Sequence, residues 1–434
     1  MPHNTIIQKA IVLILFIVLL GSCSTIKMIT GKGNISKEIN RIGTFDEHFT
    51  GLALYDPGSN EWIYRKNASK YFTPASNTKL LTYYASVVTL GEYLNTLTYE
   101  IKDDTLFFSG TGDPTFLHPD FIRHRAFDFL ISQDTSLQFV FVPNRLDNKF
   151  GSGWAWDDYN YDFQPELSDF PIYGNAITIV KQDTTVKVIP PLFKALIEFT
   201  EGETIARVPE YNLFQVGKDA DFEDQSIPFI TSPNTTISLL ADTLKRKVYK
   251  KENHEFVNAQ NLAGIESSLL YEIMMKRSDN FYAEQLLLMG SRKKGFDWST
   301  DKFRYYILSK YLDDLPQPII WRDGSGLSRY NLVTPESMVG LLKKIEDEVG
   351  FETIKRTFPV GGQSGTIRNW YSAEKPYVYA KTGTLSNNHN LSGFIITGTG
   401  RKLIFSFMNN NYIRPSSEIK QSMERLLQFI RDHY

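Results

Sequence analysis

The 434-residue chain contains one cysteine, Cys23, so no internal disulfide can form and stability has to come from packing. It lacks any run of lysines and arginines. Its 47 basic residues face 49 acidic ones, a net charge of −2, and with no phosphate-tracking surface a nucleic-acid partner is not expected. No His-Glu-x-x-His pair occurs and the sole cysteine lies near the N-terminus, so neither a metal nor a cofactor is expected. A Gly-x-Ser-x-Gly elbow is also missing, which leaves His389 without a serine to activate and predicts a solvent-facing loop residue there. Internal repeats, low-complexity tracts and long flexible linkers are absent. What is present is 42% apolar and 14% aromatic content, enough for a real core and too much for a disordered chain. The length predicts one large interrupted domain or two to three smaller ones.

Near the start, Lys9 precedes an unbroken apolar run from Ala10 to Leu20. Eleven residues are too few to span a bilayer as a helix but suit the core of a secretory signal. Leu20-Gly21-Ser22-Cys23 resembles a lipobox, which implies that Cys23 becomes the lipidated first residue of an exported protein held to a membrane. Residues 1–22 are then a signal peptide and 23–44 a tether, with "GKGNISKEIN" as a polar spacer.

Beyond it, "HFTGLALYDPGSNEWIYRKN" alternates around Asp56-Pro57-Gly58-Ser59 and predicts a hairpin, followed by a helix from about Ser76 to Val88. From about residue 98 to 225 the pattern changes to short β-like runs such as "TLFFSG" and "QFVFVPN", an expected β-rich insert. Helical periodicity resumes with "NTTISLLADTLKRK" and "ESSLLYEIMMKRSDNFYAEQLLLMG". Strand patterns "YVYAKTG" and "NLSGFIITGTGRKLIFSFMNN" and a final amphipathic helix close the chain. The expected fold is α+β: an antiparallel sheet built from both termini and flanked by helices, with 45–97 and 226–434 forming one body and 98–225 a lobe upon it.

Ser76-Asn-Thr-Lys79 is one of six Ser-x-x-Lys matches, the others starting at Ser24, Ser291, Ser299, Ser372 and Ser417, so the pattern alone is weak. Context separates Ser76. Pro74 ahead and an apolar helical run behind put it at the first turn of a buried helix, where Lys79 shares its face. Positive potential at a helix start favours an alkoxide, and a lysine drawn into an apolar wall can be neutral enough to take a proton. Serine needs such a base to act as a nucleophile. Ser278-Asp279-Asn280 follows within a strongly helical segment, and Lys381-Thr382-Gly383 follows an apolar strand-like run.

These three motifs in this order are the signature of class A β-lactamases and penicillin-binding proteins. With "RSDNFYAEQLL", "DGSGLSRYNLVTP", "VGGQSGTIRNW" and "GTGDPTF", the chain from about residue 45 onward resembles the D-Ala-D-Ala carboxypeptidase C family, the low-molecular-mass class C penicillin-binding proteins. Residue 278 lies 202 positions after residue 76, and residue 381 lies 103 after residue 278; a class A β-lactamase has no room for so long a first interval, whereas this family fills it with an inserted lobe. The resemblance implies a penicillin-binding, serine β-lactamase-like transpeptidase domain interrupted by that lobe. It also implies hydrolysis of peptidoglycan peptides ending in D-Ala-D-Ala through an acyl-enzyme on Ser76, with β-lactam antibiotics as covalent inhibitors. Lys79 would be the base, and Ser278, Asn280 and Lys381 would complete the catalytic set. Thr382, Gly383 and Thr384 would line the substrate strand, with N–H groups of Ser76 and Thr384 as the oxyanion hole and Lys381 and Thr382 binding the terminal carboxylate.

For the substrate side chain, "GSGWAWDDYNYDF" is similar to a Trp-x-Trp-x-Asp segment of the family. Asp158 and Phe163, with Arg329, would receive a side chain bearing an amine and a carboxylate; on composition alone Trp154, Trp156 and Phe163 fit the lobe core equally well, with Asp158 a surface turn residue. A serine β-lactamase or esterase on the same scaffold, and a non-catalytic wall-binding lipoprotein, are the competing readings.

Overall fold

The computed structural model describes residues 34–146, 148–182 and 185–434. The expected signal peptide and Cys23, the expected lipidation residue, lie outside the described residues. Among those described, the body is organised by a five-stranded antiparallel sheet in the order Val378–Leu385, Asn388–Ile396, Lys402–Asn410, Phe49–Asp56, Glu61–Lys66. The predicted hairpin at Asp56-Pro57-Gly58-Ser59 joins the last two strands, and the C-terminal strand Lys402–Asn410 lies directly against the N-terminal one.

Both faces of this sheet are covered, so its strands read as continuous apolar runs. Period-two alternation then divides the side chains between two cores. Ala53, Tyr55, Phe394, Ile404 and Met408 face the helices Lys79–Leu90, Ser267–Arg277, Asn280–Lys293 and Pro335–Val349. Leu52, Leu54, Leu391, Phe405 and Phe407 face the final helix, Ser416–His433, through its Ile419, Met423, Leu426 and Ile430. Residues 34–42 are helical and bury Ile35 and Ile39 in this second core, so the stretch expected as a polar spacer is in part structural. Two isoleucines four apart make one face of a helical turn, and that face has a core to enter.

The lobe is larger than its expected span of 98–225. Its main sheet, in the order Val248–Lys250, Gln138–Phe141, Thr105–Ser109, Tyr93–Lys102, Gln260–Glu266, begins at Tyr93 and ends at Glu266. The helix Pro233–Leu244 belongs to it as well: Leu239, Leu240 and Leu244 pack with Phe108, Phe139 and Phe141 in a third core rather than on the body. Two three-stranded sheets complete the lobe among the described residues. No helix among the described residues is long and apolar enough to cross a membrane.

Candidate active site

Ser76 lies in a tight 3-10 turn, Ala75–Thr78, that leads into the helix Lys79–Leu90. Side chains three apart eclipse in such a turn, which brings Lys79 Nζ to 2.9 Å from Ser76 Oγ. The lysine is fully buried and donates also to Asn280 Oδ1 at 2.7 Å and to the Ser325 carbonyl at 2.6 Å. Burial pushes its pKa down to about 8, against the opposing charges of Asp323, Asp279 and Glu284. A neutral amine is therefore accessible close to neutral pH, as a proton acceptor beside a serine requires.

The turn is held between two glycine contacts. A Cβ on Gly383 would meet the Pro74 carbonyl at 2.3 Å, Asn77 N at 2.8 Å and Ser76 N at 3.0 Å. At Gly326, whose φ is +87°, a Cβ would meet the Ala75 carbonyl at 2.0 Å. Backbone thus packs on backbone at the nucleophile, which only a residue without a side chain permits. Ala75 has a φ of +49°, an uncommon conformation for a residue with a Cβ, immediately before Ser76.

Ser278 does not lie within a helix. It ends Ser267–Arg277 in the left-handed conformation, φ +62°, and Asp279 then caps the next helix by accepting the Tyr282 N–H at 2.9 Å. The Ser-Asp-Asn triplet is therefore a helix junction: a C-terminal stop, an N-cap and the first residue of a new helix. That turn aims Ser278 Oγ at Lys381 Nζ, 2.7 Å away, and Asn280 Oδ1 at Lys79. Asn280 Nδ2 donates to the Phe163 carbonyl of the lobe at 3.0 Å. Lys381 is buried, and burial first, then the charge of Lys79, hold its pKa well below the usual lysine value.

Lys381-Thr382-Gly383 lies on the edge strand Val378–Leu385. The Ala380 N–H points away from the sheet to the Pro359 carbonyl. Since alternate residues of a strand face the same side, the N–H groups of Thr382 and Thr384 are directed to that open edge. Alongside it runs a cleft of about 370 Å³, lined by Ser76, Ser278, Thr382 and Thr384.

Behind the lysine, the loop after Trp321 is gathered around the buried Asp323. That carboxylate accepts N–H groups of Gly326 and Ser328, the Asn331 amide and, from the lobe, Trp154 Nε1 at 2.9 Å. Glu284, also buried, accepts the Ser325 N–H at 2.7 Å; burial and the nearby Asp323 charge push its pKa up. The two carboxylates thereby fix the carbonyl that receives Lys79.

The residues expected to read the substrate side chain are more dispersed. Phe163 is partly exposed and stacks on Tyr161. Asp158 sits in the short turn Trp156–Asn160, its pKa raised by burial and by Asp157. Arg329 is exposed and donates to the Ser386 carbonyl at 3.2 Å. Among the described residues no hydrogen bond joins Asp158 to Arg329 or to the catalytic set. The lobe-core alternative for the tryptophans does not hold: Trp156 is 82% exposed, and Trp154 packs against the body core.

His389 corrects the expectation of a solvent-facing loop residue. It is buried on the strand Asn388–Ile396, opposite Thr384, with Nδ1 2.8 Å from the Thr384 hydroxyl, and burial pushes its pKa down to about 3. Other cleft residues were not singled out from the sequence: Thr366, whose hydroxyl lies 2.7 Å from that of Thr382, Trp370, and Lys420 on the final helix. Glu284 carried a usable signal, a lone carboxylate in an otherwise apolar helical stretch. Lys420 stood in plain view in Ser417-x-x-Lys420, one of the five other matches.

The sequence profile of the D-Ala-D-Ala carboxypeptidase 3 (S13) family matches residues 32–188 and 238–431. D-alanyl-D-alanine carboxypeptidase DacB of Haemophilus influenzae is 32% identical over 176 residues, 38% of this chain and 36% of that protein, so this alignment covers about a third of the relative's length. The D-alanyl-D-alanine carboxypeptidase of Actinomadura sp. strain R39 is 25% identical over 425 residues, 85% of this chain and 78% of that one. The crystal structure of penicillin binding protein 4 (DacB) from Haemophilus influenzae superposes with a TM-score of 0.75 at 21% identity, covering 92% of this chain and 99% of the other. The penicillin G-acylated predatory endopeptidase Bd3459 of Bdellovibrio bacteriovorus superposes with a TM-score of 0.51 at 14% identity, over 88% and 92%.

Proposed function

The chain belongs to the D-Ala-D-Ala carboxypeptidase 3 (S13) family and is a serine peptidase of that family, and from this premise we propose that it cuts peptidoglycan stem peptides after the penultimate D-Ala, through an acyl-enzyme on Ser76. The observation that carries the reading is the convergence of Lys79 on Ser76, Asn280 and the Ser325 carbonyl at 2.9, 2.7 and 2.6 Å, beside the Lys381–Ser278 pair. Ser76 Oγ attacks the carbonyl carbon of the penultimate D-Ala as its proton passes to Lys79 Nζ. The C–N bond then breaks, and the leaving amine takes the proton from Lys79, relayed through Ser278 and Lys381, which returns Lys79 to the neutral amine. Water cleaves the ester, with its proton passing back through Lys79.

The N–H groups of Ser76 and Thr384 are the proposed oxyanion hole; removing one such donor typically costs about 100- to 1,000-fold in rate. Of the two residues expected at the terminal carboxylate, Thr382 holds it, with Thr384 beside it on the cleft wall, while Lys381 is engaged by Ser278 Oγ and the Thr382 carbonyl. Asn280, with one N–H beyond that given to Phe163, holds the substrate amide. Asp158, Phe163 and Arg329 remain the proposed recognition residues for the side chain, and β-lactams would acylate the same serine. Export, and lipid attachment at Cys23 to a membrane of the cell envelope, belong to the same proposal; the apolar run Ala10–Leu20 and the adjoining lipobox support them. Labelled-palmitate incorporation that Cys23→Ala does not abolish contradicts the anchor. For the activity, purified protein from residue 24 onward is expected to release D-Ala from a muramyl pentapeptide. Release undiminished in Ser76→Ala contradicts the nucleophile assignment.

A further inference from the structure

The leaving group's carboxylate needs a counter-charge, and the two motif lysines are poorly suited to supply it. Lys79 is fully occupied by Ser76, Asn280 and the Ser325 carbonyl, while Lys381 is buried against Ser278 and the Thr382 carbonyl. The cleft beside them has another cation on its wall, Lys420 of the final helix. Lys420 lies 5.9 Å from the centre of the Trp370 ring, and its charge is felt at His389, the residue bonded to the Thr384 hydroxyl.

Among the described residues no carboxylate lines this cleft and none pairs with Lys420. Glu424, one turn further along the same helix, is engaged by the Tyr371 N–H. Past Thr366 and Trp370, which line both spaces, a second cavity of about 620 Å³ carries Lys276, Arg277 and Arg368. Lys276 is paired with Glu272 and Arg277 with Asp120 and Asp279; Arg368 has no ion pair among the described residues. Lys420 therefore lines the same cleft as Thr382 and Thr384, with Arg368 beyond Thr366 and Trp370 in the neighbouring cavity.

Resting on the function proposed above, we infer that Lys420 is a specificity-determining residue, the cation that recognises the carboxylate of the leaving D-amino acid while the Thr382 and Thr384 hydroxyls orient it. A charge-assisted contact of this kind separates a carboxylate from a neutral carboxamide of nearly the same shape.

The test is a cycle between enzyme and substrate. Stem-peptide analogues ending in D-Ala-D-Ala and in its C-terminal carboxamide are compared by kcat/KM in the wild type, Lys420→Gln, Lys420→Met and Lys420→Arg, with thermal unfolding as the folding control. The acid-to-amide preference is expected to fall about tenfold in the Gln and Met variants, mainly through KM, and to survive in Arg. In the wild type it should also shrink as ionic strength approaches about 1 M, where the screening length is about 3 Å. An unchanged ratio in folded Gln and Met variants, with wild type active, overturns the role of Lys420 and leaves the peptidase reading intact. Wild type that hydrolyses neither analogue overturns the parent reading and this inference with it.

Discussion

Substituting alanine for Gly383 puts a Cβ where the structure has no room. The added carbon would sit 2.3 Å from the Pro74 carbonyl oxygen, 2.8 Å from Asn77 N and 3.0 Å from Ser76 N. All three are backbone atoms of the nucleophile turn, so no side chain can swing aside. Restoring even 3.0 Å to the carbonyl requires the strand and the turn to part by at least 0.7 Å, the difference between 3.0 and 2.3. That motion separates Ser76 from the Thr384 N–H and from Lys381, which the same strand carries. A displacement near 1 Å costs about 100-fold in a reaction that depends on alignment. Overpacking itself costs about 1–3 kcal/mol of stability. The assay is the second-order acylation rate by a fluorescent penicillin, with thermal unfolding measured in parallel. A folded Gly383→Ala protein acylated within about threefold of the wild-type rate refutes the close-packed strand and turn, because that little loss leaves no room for the required displacement.

With Lys79 as base at a pKa of about 8, acylation should rise with pH through that value, since the neutral amine accepts the serine proton. Asp323→Asn removes a neighbouring negative charge that favours the ammonium form, so the limb should move to lower pH; a limb that stays put or moves up contradicts the assigned electrostatics. Trp154→Phe deletes a hydrogen bond to the buried Asp323 and should cost about 1.5–3 kcal/mol in chemical denaturation, with slower acylation. Full stability in that variant contradicts the tie between lobe and loop.

The parts of the site that were legible in the sequence are those where chemistry fixes both residue type and local spacing. Ser76 and Lys79 share a turn, and Lys381-Thr382-Gly383 ends an apolar run that had to be a strand. The details within them depended on backbone conformation. Ser278-Asp279-Asn280 reads as helix because helical sequence lies on both sides, and the left-handed Ser278 with the extended Asp279 breaks it. His389 was misjudged because Asn387 and Asn388 resemble a turn, yet the strand begins at Asn388. The lobe's far edge was hidden for a similar reason: Gln260–Glu266 is largely exposed and begins and ends on polar residues, so its apolar signal is weak. The period of Pro233–Leu244 announces an apolar face without saying which core receives it. Lys420 stands in a Ser-x-x-Lys match, but nothing in that stretch says that it reaches the cleft, since its place there is set by how the final helix crosses the sheet.

The central claim is that Ser76 is the acylated nucleophile. Proteolysis and mass spectrometry of the penicillin-treated protein measure it directly. The account predicts the penicilloyl mass on Ser76 in the wild type and its absence from the Ser76→Ala protein. A penicilloyl adduct on any other serine, or one of equal yield in Ser76→Ala, contradicts it.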